Sequence, residues 1–241
     1  AWMHRTHQAE QVPAAVGALR NAGIANVSVD LIYALPEAIP RDWDADLDRA
    51  FALDPSHISL YGLTVEPRTP LGRWTARGEV TPLPDDRAAE EYLRANARLV
   101  SEGFEHYEVS NAARPGFRSR HNFAYWTRAP FIGLGPSAHS GLGDERSWNV
   151  REWADYQRRI EAGEPVREET ERLSVEQVAL ENRYLALRTT RGAGKGLVPP
   201  ATAEAWAREG WAERDGERTR LTQEGWLRLD ALVGTLTALP G

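Results

Sequence analysis

Residues 26–65 read NVSVDLIYALPEAIPRDWDADLDRAFALDPSHISLYGLTV. Two runs rich in β-branched and aromatic residues enclose a segment in which Trp43, Leu47, Ala50 and Phe51 recur at helical spacing. Pro36 and Pro40 close the first run, and Asp54-Pro55 leads into the second. Upstream, Val12, Ala15, Val16 and Leu19 place a helix over 8–22, and Gly23 follows where a C-terminal glycine belongs. The order α-β-α-β with short connections is the repeat of a parallel α/β sheet or barrel.

Downstream, 66–84 reads as a long proline-containing connection. Asp85 or Asp86 opens a helix that reaches 102, with Tyr92, Leu93, Leu99 and Val100 as its apolar face. FEHYEVS is a third strand. Residues 106–140 then gather three of the six histidines, the aromatic segment HNFAYW and the loop GLGPSAHS. So apolar and aromatic a connection is a binding segment rather than a disordered one. A strand over 146–150 precedes a helix over 152–162, with Trp153, Tyr156 and Ile160 spaced to pack. The charged stretch 164–172 marks a boundary, giving domains 1–163 and 172–241. Ser174 with Gln177 fits a capping box opening a helix to Arg188. RGAGKG, a helix over 200–209, a hairpin around Asp215-Gly216 and a last helix capped by Thr222 follow. Trp226, Leu229, Leu232, Val233 and Leu236 are its core positions. Helix, helix, hairpin, helix resembles a winged-helix arrangement.

The 241 residues contain no cysteine, so disulfides, a thiolate nucleophile and protein-ligated iron–sulfur chemistry within them are excluded. The net charge is −6, and Lys195 is the only lysine. From Leu197 onward five arginines face seven carboxylates, which disfavours nucleic acid as a partner of the hairpin. No run approaches a membrane span and no signal peptide opens the chain, so a cytoplasmic location is expected. The start, Ala1-Trp2-Met3, reads as a cut from something longer.

Individual residues remain open between chemistry and structure. Alternation puts Ser28, Asp30 and Ile32 on one face of the first strand and Val29, Leu31 and Tyr33 on the other. Asp30 is either a ligand contact near a strand end or a carboxylate bonded to neighbouring backbone. Arg5 lies between His4 and His7 and, on spacing alone, reads as a terminal arginine without function rather than a ligand contact. His57, Ser59 and Tyr61 alternate on the second strand. Glu108 is an acid–base candidate or a backbone partner. His121 and His139 are each either haem-type ligands or structural histidines. The glycines of GLGPSAHS permit close backbone approach to a ligand, and no P-loop, zincin spacing or Gly-x-Ser-x-Gly elbow occurs.

In order, HRTH, VDLIYALP, HISLYGLTVEPRTPL, HYEVSN, HNFAYW and FIGLGPSAHS resemble the C-terminal two-thirds of the radical S-adenosylmethionine family that includes HemW and HemN, and LALRTTRG and RLTQEGWLRLD are similar to its C-terminal module. The HNxxYW pattern is similar to the haem-chaperone branch. The resemblance implies part of a (β/α)6 TIM-like barrel followed by a winged-helix-like domain. It implies S-adenosylmethionine contacts at Arg5, Asp30 and Thr64, and haem contacts at His121, Asn122, Tyr125 and Trp126. Haem binding and transfer, with haem or a porphyrinogen as ligand and haem-accepting proteins as partners, is the implied function; the alternative is an oxygen-independent coproporphyrinogen III oxidase. The family's CxxxCxxC, which holds its [4Fe–4S] cluster, has no counterpart here, so the chain alone is expected not to generate a 5′-deoxyadenosyl radical. Ala34 stands where the family usually has glycine, Glu37-Ala38-Ile39 replace its Gly-Gln-Thr, and His4 stands where glycine is usual.

Overall fold

A computed structural model describes residues 8–237. The chain divides into two compact units, 1–118 and 119–241. In the first, α1 (Gln11–Asn21) precedes β1 (Ser28–Tyr33), α2 (Trp43–Ala52) and β2 (His57–Gly62). Asp42 caps α2 by accepting from the Ala45 amide at 3.1 Å. β1 and β2 pair in parallel, from Ser28 opposite His57 to Tyr33 opposite Gly62. Leu31 and Tyr33 pack on the core, as do Ile58 and Leu60, because alternation turns them to the same side.

Within the 66–84 connection lies a short helix, α3 (Pro70–Ala76). Thr69 caps it and Pro70 sits in its first turn, where a missing N–H costs nothing. Next, α4 (Asp85–Ser101) supplies Ala95 and Leu99, both fully buried, to a core shared with Trp43, Leu47, Ile58 and Phe104. The third strand, β3 (Glu105–Glu108), does not lie against β2. It turns at once into β4 (Asn111–Ala113), and β4 pairs antiparallel with both β2 and β3. With no crossover helix between β3 and β4, only an antiparallel return is available. The sheet order is β1-β2-β4-β3, leaving β1 at an edge.

The second unit opens with α5 (Arg120–Trp126), which contains the whole HNFAYW segment. β5 (His139–Leu142), β6 (Glu145–Asn149) and β7 (Arg167–Arg172) form an antiparallel sheet, with α6 (Trp153–Ala162) between β6 and β7. Most of the 164–172 stretch, read above as a boundary, is strand. REETER is polar on both faces because β7 is an exposed edge, where charge discourages further pairing. The packing expected of α6 is only partly met. Tyr156 is held by the Gly135 amide, which donates to its hydroxyl at 3.1 Å, but Trp153 and Ile160 are 64% and 57% exposed.

The predicted capping box is present on α7 (Val175–Leu187). α8 (Pro200–Arg208), β8 (Ala212–Asp215), β9 (Arg218–Leu221), α9 (Gln223–Trp226) and α10 (Leu229–Thr237) complete the unit. Trp226, Leu229, Leu232, Val233 and Leu236 are all buried, and the Trp226 indole donates to the Leu187 carbonyl at 3.0 Å. Among the described residues no helix is long and apolar enough to cross a membrane.

Ala34 follows β1 in a left-handed conformation, φ +60°. Its amide donates to Glu91 Oε2 at 2.8 Å, which holds the chain in that turn. A Cβ is disfavoured there by about 1–2 kcal/mol, which glycine avoids at some cost in unfolded-state entropy. Ala34→Gly is expected to stabilise the protein by roughly 0.5–1 kcal/mol, read as a higher urea midpoint at unchanged m-value; a lower midpoint would contradict the strain.

Candidate functional site

The face of the first sheet opposite the helices is polar. Ser28, Asp30, His57, Ser59 and Asn111 share it by strand register. Ser28 Oγ lies 2.8 Å from His57 Nδ1, and His57 Nε2 lies 2.8 Å from the Tyr107 hydroxyl. A neutral imidazole has one donor and one acceptor nitrogen, so whichever tautomer holds, one hydroxyl donates to the ring and the other accepts from it. Burial lowers the His57 pKa, against the opposing pull of Asp30. Nearby, the buried His106 donates from Nε2 to the Val109 carbonyl at 3.2 Å, and burial pushes its pKa down to about 4. Glu108 is fully buried; it accepts from the Ser110 amide at 3.0 Å and from the Asn111 side-chain amide. Of the two readings open for Glu108, the geometry carries the backbone partner.

Asp30 and Thr64 are not brought into one cavity. Asp30 is exposed and lines an 810 Å³ cavity along the β1 edge, between α1 and α2. Thr64, just past β2, lines a separate 390 Å³ cavity with Tyr33, Ala34 and Gly62. Arg5 lies outside the described residues.

In the second unit Ser119 caps α5 by accepting from the Asn122 amide at 3.2 Å. One side of the short helix carries an aromatic ladder. His121, exposed, meets Tyr125 edge-on at 4.9 Å, and Tyr125 meets Phe131 edge-on at 4.8 Å. Tyr125, Phe131 and His139 line a cavity of 280 Å³ with Arg128, Arg146 and Glu181. Glu181 bridges the arginines, 3.2 Å from Arg128 and bonded also to Arg146. Trp126 lies beneath the Arg188 guanidinium at 4.3 Å and reaches both this cavity and a neighbouring one of 420 Å³, which Phe123 also lines.

The tight glycines of this region face the protein itself. A Cβ on Gly133 would meet the His139 carbonyl oxygen at 2.2 Å, and one on Gly141 would meet the Phe131 ring at 2.7 Å. Sequence reading missed Arg128, Arg146 and Glu181 as neighbours of the aromatic ladder. Arg128, two residues past HNFAYW with φ +52°, carried no signal of its own.

No family model matches the sequence. The chain is 35% identical over 239 residues to the haem chaperone HemW of Mycobacterium tuberculosis, covering 98% of this chain and 61% of that protein. It is 34% identical over 231 residues to the haem chaperone HemW of Synechocystis, covering 90% and 56%. The chain is HemW-like in sequence over nearly its whole length. It thus spans little more than half the length of these HemW relatives. The fold is shared with a solved structure of coproporphyrinogen III oxidase (HemN) from Escherichia coli, a radical SAM enzyme. The TM-score is 0.71 at 18% identity, covering 98% of this chain and 60% of that one. These HemW-like 241 residues offer no thiolate to an iron–sulfur cluster, and among the described residues no three His, Cys, Asp or Glu side chains are grouped to hold a metal ion. A cluster therefore does not fit on the residues present.

In this HemW-like chain the lowered His106 pKa sets a pH dependence. A neutral ring buried in the native state titrates near 6.5 once unfolded. Its contribution to stability is complete above pH 6.5 and is lost as pH falls toward 4. Between pH 7 and pH 4.5 the wild type is expected to lose on the order of 2–3 kcal/mol more unfolding free energy than His106→Gln, measured by urea titration. Equal losses in both proteins would remove His106 as the cause.

Proposed function

We propose that this chain binds haem at the HNFAYW helix, as the haem-handling part of a haem chaperone. The observation that carries the reading is the ladder His121–Tyr125–Phe131 beside a cavity that also holds His139. A haem needs one axial nitrogen and flat apolar walls, and it offers carboxylates to arginine. These residues fit the first two demands: imidazoles at His121 and His139, and rings at Tyr125 and Trp126. His121 is the axial ligand in this reading. Asn122 contributes through its backbone, whose bond to Ser119 sets the first turn of α5. When bound, haem supplies its iron and its macrocycle; the chain grips and orients it.

The function of the relatives as haem chaperones, which their name states, supports this reading, and transfer of haem to an accepting protein belongs to it. So do S-adenosylmethionine contacts at Arg5, Asp30 and Thr64, as the resemblance to radical S-adenosylmethionine proteins implies. A coproporphyrinogen oxidase reading draws on fold likeness alone.

Haem titration followed at the Soret band tests the proposal. Wild type is expected to saturate with a shifted band. His121→Ala should weaken binding about tenfold or more, equivalent to at least ~1.4 kcal/mol, while His139→Ala retains the band. Loss in His139→Ala alone would move the ligand to β5, and no shifted band in wild type would overturn haem binding.

A further inference from the structure

The 420 Å³ cavity of the second unit lies between α5, α7 and the 189–197 loop. Phe123 and Trp126 give it an aromatic wall. Its charged lining residues are Arg128, Arg191 and Arg218, and among the described residues no carboxylate lines it. Arg128 is offset by Glu181. Among the described residues no carboxylate offsets the other two. Arg218 donates from Nη1 to the carbonyls of Arg191 and Gly192, at 3.2 and 3.4 Å, so backbone rather than a carboxylate holds it in place. Arg191 is exposed and pairs with no carboxylate among the described residues. Most other arginines of this acidic chain have a carboxylate within 4 Å, as Arg214 has Glu204 and Arg220 has Asp215. Two guanidinium groups without such partners, beside two rings, suit an acid whose body is flat and apolar. Guanidinium takes a carboxylate through two parallel bonds, and the rings cover the body.

We propose that this cavity is the carboxylate end of the ligand site: Arg191 and Arg218 pair with the carboxylates of a flat, apolar acid whose body rests on Phe123 and Trp126. The choice of haem as that acid, with its two propionates, rests on the function proposed above. The second cavity, around Tyr125 and His139, then holds the other edge of the macrocycle, and Trp126 is shared by both.

The test uses the full chain with haem and with haem dimethyl ester, both followed at the Soret band. Arg191→Ala removes a side chain that the described structure does not use, so the fold is retained; Arg191→Glu serves as the charge reversal. Haem affinity is expected to fall roughly five- to tenfold in Arg191→Ala and further in Arg191→Glu. The ester should bind wild type and both variants equally. Rising salt should weaken haem more than ester. Unchanged haem affinity in both variants, with ester binding as tightly as acid, overturns the carboxylate assignment and leaves the haem reading standing. A wild type that binds no haem overturns both.

Discussion

The parallel register of β1 on β2 is the constraint on which the first unit depends. Ser28 opposite His57 puts Leu31, Tyr33, Ile58 and Leu60 toward the helices, and Ser28, Asp30 and Ser59 away from them. A slip of one residue would exchange the two sets, burying a carboxylate under α2 and α4. The apolar side specifies the register, because Leu47, Ile58, Ala95 and Leu99 have no exposed surface to spare. The polar side inherits its geometry from that packing. The Ser28–His57–Tyr107 chain is a by-product of where the leucines must go, and burial disfavours charge on its imidazole.

The second unit is organised differently. Its helices α7 to α10 enclose one core, while β5 to β7 form a thin sheet with an exposed, charged edge. The 131–142 backbone lies close to itself at Gly133, against the His139 carbonyl, and Gly141 leaves room for the Phe131 ring. α5 is short and buries none of its residues fully. Its aromatic side chains are half-covered, which suits a surface that grips a ligand rather than a core.

Much of this is written locally. Asp42, Thr69, Ser119, Ser174 and Thr222 each cap the helix that follows; those after Asp42 and Ser174 could be read directly, and the single helix expected after Thr222 is two, α9 and α10. α3 and α5 escaped reading because seven residues hold too few turns to show a period, even with the cap in view. β7 escaped because a strand exposed on both faces has no alternation to show. The return of β3 into β4 is a matter of partner choice that neither strand records. In the site, the aromatics were visible as HNFAYW, a contiguous string. The charges around them were not. Glu181 meets Arg128 across fifty-three residues of chain, and Arg218 reaches the 191–192 carbonyls from a hairpin. Such pairings arise only once the unit is folded.

The arginine preference has a further consequence. Guanidinium groups keep their charge at any pH the fold survives and do not react with amine-directed reagents. Lys195 is the only side-chain amine in the chain; it sits in the 189–197 loop and is exposed, 2.5 Å from Glu217. Its neighbours Gly194 and Leu197 line the arginine-bearing cavity. A dye coupled to that one amine would stand at the cavity's rim, so the loop carries its own attachment point for an optical reporter of occupancy.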